Sequence, residues 1–95
     1  MLHTITKSPA IADLKTFYIM VKKNDAIVLL QDGVLYGLKN TYALQKLMSI
    51  SIFLYALKVD VLARGLSNKF SVNIVLIEYK HFVNLSVKHQ QQLSW

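Results

Sequence analysis

Apolar and polar residues alternate from Leu2 to Thr6, a strand-like period, and the alternation stops at Ser8-Pro9. Ser8 suits a helix N-cap and Pro9 the first helical position. Ile11, Leu14, Phe17, Tyr18 and Val21 then recur at three- and four-residue spacing, which predicts a helix ending near Lys22-Lys23-Asn24, where lysines favour a helix carboxyl end. Asn24-Asp25 marks a turn. Ala26 to Leu30 follows as an unbroken apolar run of strand length, with no polar face, and an uninterrupted run suggests a strand covered on both sides.

The same alternation continues to the other end. Thr41 to Met48 reads as a helix burying Tyr42 or Leu44 and Leu47 or Met48, and Ile50 to Leu57 reads as a second buried strand. Asp60 suits the cap of a short helix through Arg64, with Gly65 ending it in a left-handed conformation. Ile74 to Ile77 is a third apolar run, and a last helix spans about Lys80 to His89, with Phe82, Leu85, Ser86 and His89 on one side. Strands alternating with helices, the strands apolar on both faces, predict an α/β three-layer sandwich around a mainly parallel sheet. A chain of 95 residues closes one core, so the expectation is a single domain over residues 1–95.

Composition adds a surplus of apolar surface. Apolar residues make up 54% of the chain and charged ones 17%, more apolar surface than a domain this small can enclose, which predicts surface shared with partners. The longest mostly apolar stretch, Met48 to Leu57, is about half of the roughly 20 residues a membrane helix needs. The amino-terminal Met-Leu-His-Thr lacks the basic region and apolar block of a secretory signal. The expected location is the cytoplasm.

The net charge of +6 raises a nucleic-acid reading. Its distribution favours a solvated lysine surface instead, because the longest basic run is Lys22-Lys23 and Arg64 is the sole guanidinium. The chain has no cysteine, and persulfide transfer needs a thiolate that attacks one sulfur and then releases it. Covalent sulfur carriage by this chain is excluded, and so are disulfides and thiolate metal sites. His81 and His89 lie eight residues apart, about 12 Å along a helix and too far to share a metal; His3 has no ligand partner in sequence. No phosphate-cradling glycine motif or serine-hydrolase elbow is present. Three of the five acids have immediate structural explanations as cap, turn or first-turn residues, and Asp32 is the exception; it follows a strand, at the end where open α/β sheets meet ligands and partners, and a turn before Gly33 is its plainer explanation.

Met1-Leu2-His3-Thr4, Leu29-Leu30-Gln31-Asp32-Gly33-Val34, Tyr55-Ala56-Leu57, Ala63-Arg64-Gly65-Leu66, Val87-Lys88-His89 and Trp95 stand in order across the whole chain, and together they resemble the DsrH/TusB family. The resemblance implies a DsrE/DsrF/DsrH-like fold. It also implies a heterohexamer with two copies each of this chain and of TusC-like and TusD-like subunits, which passes sulfur to a TusE-like acceptor for thiolation of tRNA wobble uridines. The chain of this type is the non-catalytic member. Some DsrH proteins carry a cysteine late in the first helix, where this sequence reads Tyr18-Ile19-Met20-Val21, so no catalytic residue of the family carries over. No cofactor or metal is expected. His3, Asp32, Gly33, Arg64, His89 and Trp95 are the candidate partner-interface residues, and Trp95 is expected to be ordered. Two rival readings are a basic α/β RNA-binding module acting near tRNA and, from the strand-helix alternation, a flavodoxin-like cofactor binder.

Overall fold

The computed structural model describes residues 1–50 and 53–95. Five strands, β1 (Leu2–Ile5), β2 (Ala26–Leu29), β3 (Phe53–Leu57), β4 (Val75–Ile77) and β5 (Gln92–Ser94), form one sheet in the order β4-β3-β2-β1-β5. Every pairing is parallel, in register Leu2 with Ala26, Ala26 with Phe53, Tyr55 with Val75 and Leu2 with Gln92. The helices are α1 (Lys15–Met20), α2 (Tyr42–Met48), α3 (Lys58–Ala63) and α4 (Tyr79–Lys88), with 3-10 turns over Gln31–Gly37 and Ser67–Lys69. The expected α/β three-layer sandwich is the observed one.

The topology explains the layers. The first three crossovers advance across the sheet in one direction, and the fourth carries the chain back past β1, so right-handed connections place α4 opposite α1 and α2. The packing follows: on one face Ile5, Ile27, Leu29, Leu54 and Ala56 meet Leu14, the N-cap of α1, and Phe17 within it, together with Leu44 and Leu47 of α2. On the opposite face Leu2, Ala26, Val28 and Ile77 meet Phe82 and Leu85 of α4. The central strand β2 is buried at every position, which is why its sequence shows no polar face.

Three expectations need correction. Ser8-Pro9 opens a turn rather than a helix: the amides of Ile11 and Ala12 both donate to the Ser8 carbonyl, Ile11 is 72% exposed, and α1 begins only at Lys15, whose amide donates to Asp13 Oδ1. The helix also stops at Met20, before the lysine pair, because the Lys22 amide is drawn to Asp25. Asp60 is not the cap of α3. The helix starts two residues earlier, and the carboxylate is used on a neighbouring turn. In α2 the choice falls to Leu44 and Leu47, capped by Thr41, whose hydroxyl accepts from the Leu44 amide, while Tyr42 is exposed. The expected strand Ile50 to Leu57 is observed from Phe53, and its positions 51 and 52 lie outside the described residues. Gly65 does end α3 with a φ of 65°.

Candidate functional site

The six candidate residues fall into separate groups. The first stands at the carboxyl ends of the strands, where the chain leaves β2 into the 3-10 turn. Gln31 takes a left-handed φ of 52°, unusual for a residue with a side chain. Its amide donates to Asp60 Oδ2 at 2.7 Å, so the first turn of α3 holds that backbone in place. Gly33 then passes so close to β1 that a Cβ there would stand 1.8 Å from the Ile5 carbonyl oxygen, which only glycine permits. Asp32 projects outward from this turn, and Arg64, just after α3, reaches it through Nε at 3.3 Å and Nη2 at 3.0 Å. Arg64 Nη1 lies 3.9 Å from Asp60 Oδ1 as well. The arrangement is a surface arginine braced between two carboxylates, and it ties α3 to the end of β2.

The second group is internal. His3 is fully buried on β1, with Nε2 3.0 Å from Asp25 Oδ2 and Nδ1 3.1 Å from the Trp95 indole Nε1. An indole nitrogen only donates, so His3 Nδ1 accepts; the ring is neutral there, with its proton on Nε2 donated to Asp25. Asp25 also accepts from the Lys22 amide and from the Met1 amino group, each at 3.0 Å. Burial works to raise the Asp25 pKa, yet these donors outweigh it and hold the carboxyl down at about 2. Trp95 packs edge-on to Phe17, and its backbone extends the β5 pairing, its amide donating to the Thr4 carbonyl and its carbonyl accepting from the Thr6 amide. The chain end is thus packed against β1 and Phe17. His3 and Gly33 are buried and offer no side chain to a partner.

His89 stands apart, at the C-cap of α4, beside Asn24, Phe53, Tyr55, Leu85 and Lys88. Burial, then the Met1 amino group and Lys88, push its pKa below the ordinary histidine value. Two residues that the sequence reading assigned to local turns and caps, Asp25 and Asp60, are the hubs of both clusters. The sequence carried a weak signal for Asp25, an acid directly before the most apolar strand. Among the described residues no group of histidines and acids could hold a metal, and no helix is long and apolar enough to cross a membrane.

Fold and clusters define a small, all-parallel α/β sandwich whose polar networks fix structure internally and display one braced arginine at the strand ends. The chain belongs to the DsrH like protein family, which matches residues 7–92. It is 46% identical to Protein TusB of Pectobacterium parmentieri and 46% identical to Protein TusB of Yersinia enterocolitica, each over 95 residues that cover 100% of both chains. Among solved structures it is similar to protein Tm0979 from Thermotoga maritima, with a TM-score of 0.65, 30% identity and coverage of 96% of this chain and 97% of that one.

Proposed function

We propose that this chain is the non-catalytic subunit of a TusBCD-type sulfur relay that serves 2-thiolation of 5-methylaminomethyl-2-thiouridine at tRNA wobble positions. The observation that carries the reading is the full-length similarity to proteins named Protein TusB, in a chain with no cysteine. A relay step exchanges one sulfur-sulfur bond for another through a thiolate, so a partner must own the transferring group. Residues 1–95 act as one domain in the cytoplasm, assembled with TusC-like and TusD-like subunits, two copies of each of the three chains, and the assembly hands sulfur to a TusE-like acceptor. In this reading Asp32 and Arg64 meet a neighbouring subunit at the strand ends, with His89 and Trp95 at further contacts and His3 and Gly33 fixing the geometry behind them. Direct tRNA contact is left to other components.

Coexpression with the two partner subunits tests this. A stoichiometric assembly should purify, labelled persulfide should appear only on a partner cysteine, and loss of this chain should depress wobble-uridine thiolation. Normal thiolation in cells without the chain overturns the reading. Tight tRNA binding by the isolated chain that falls steeply with salt would instead support the RNA-binding alternative.

A further inference from the structure

An all-parallel sheet needs cover on both faces. A helix is about 10 Å across and strands sit about 4.8 Å apart, so one helix shields about two strands, and five strands need two helices on each side. The face of Leu2, Ala26 and Val28 has α4 alone among the described residues, seated there by Phe82 and Leu85. Beyond α4 the described residues leave part of the β3–β4 half of this face uncovered: Tyr55 and its register partner Val75 point to it, and Val75 is 56% exposed although it lies within a strand, whereas Ile77 at the end of β4 is already buried beside α4.

The open strip is a groove. Two hollows of about 440 and 260 Å³ adjoin along β3, sharing Tyr55, Leu85 and Lys88. The floor is Tyr55, Val75 and Ile77; the wall is one side of α4, where His81, Leu85 and Lys88 recur at helical spacing. Among the described residues no carboxylate lines either hollow, and the charged or ionisable nitrogens along them belong to Lys88, His81 and His89. Lys88 enters no ion pair with a described residue. Width, apolar floor and basic wall therefore specify the complement: a helix, apolar below and acidic at the side.

We propose that this groove seats an amphipathic helix of a partner protein, which completes the second helix layer against Tyr55 and Val75 and sets a carboxylate against Lys88. The proposal rests on the subunit reading for the partner's source, a companion chain of the same assembly, and on the groove for its chemistry. The helix adds the missing cover to β3 and β4 and pairs a lysine that the chain itself leaves to solvent.

The test uses the coexpressed assembly. Val75→Glu places a charge on the apolar floor at an already exposed site, and Ile19→Glu, on α1 at 83% exposure, is the control on the other face. Val75→Glu should weaken assembly by about tenfold or more, as loss of a central interface contact does, while Ile19→Glu leaves it intact. Lys88→Glu should weaken it too, and more so at low salt than at high salt. A photo-crosslinking amino acid incorporated genetically in place of Val75 reports the neighbour regardless of how well Val75→Glu folds, and leaves the partner's cysteine untouched. The crosslinked peptide should come from a helix of a companion subunit and include an aspartate or glutamate. Unchanged assembly of Val75→Glu, or crosslinks to RNA, to a second copy of this chain or to nothing, overturns the groove while the subunit reading stands. Failure of the unmodified chain to assemble at all overturns both.

Discussion

Gly33 and Gly65 answer different local needs. A Cβ at Gly33 collides with backbone of β1, which cannot rotate away, whereas at Gly65 it meets nothing and only the φ of 65° is strained. Gly33→Ala should therefore cost more than about 2 kcal/mol in urea denaturation, and Gly65→Ala about 1 kcal/mol. Equal costs would show that the 3-10 turn yields. Asp25 supplies a pH signature. Its folded pKa of about 2 lies below the ordinary 3.8, so its stabilisation is complete above pH 3.8 and is lost as the pH falls toward 2. The loss amounts to about 2 kcal/mol, and Asp25→Asn should remove that acid limb from the stability profile. Arg64 is different in kind, since its pairing with a 61% exposed Asp32 contributes little to folding. Arg64→Ala should leave the melting temperature nearly unchanged yet weaken the assembly; full assembly and full thiolation in Arg64→Ala and Asp32→Ala would remove both from the interface.

The elements show where sequence pattern and structure part. Pattern located β2, α2, β4 and α4 well, because β2 and β4 are short apolar runs paired within the sheet and the two helices each turn an apolar face to it. It misplaced the start of α1, because capping chemistry at Ser8 and Pro9 is shared by helices and turns, and the stripe is buried from Leu14 and Phe17 onward while Ile11 stays exposed. Strand β5 was invisible in pattern: Gln92 to Ser94 is mostly polar and exposed, and backbone pairing with β1 makes it a strand. Trp95 anchors that edge. As the sole tryptophan it should emit at short wavelength in the folded chain, and Trp95→Ala should cost about 2 kcal/mol and free β5, read as fast amide exchange over residues 92–94. Solvent-like emission from the folded protein would contradict the packing on Phe17 and His3.

At the scale of the molecule, apolar surplus is the dominant fact. Ile11, Ile19, Val59, Val72, Val75, Tyr79 and Val87 are all more than half exposed, as a 95-residue domain with 54% apolar residues requires. Expressed without partners, the chain should self-associate or precipitate, and coexpression should make it soluble in a defined stoichiometry, read by light scattering. A stable, dilute monomer indifferent to both partners would count against an obligate interface.

The amino-acid sequence by itself determined the layer architecture, the burial of β2 and the exclusion of thiol chemistry, because periodicity and composition are local or additive properties of the chain. It also placed Asp32 and Gly33 at a strand end. Only the tertiary structure decided that Arg64 reaches Asp32, that Asp60 braces Gln31, and that His3 lies between Asp25 and Trp95. Those contacts join residues 22 to 92 positions apart, and their partners are chosen by the parallel register and the return of β5 beside β1, which no local pattern encodes.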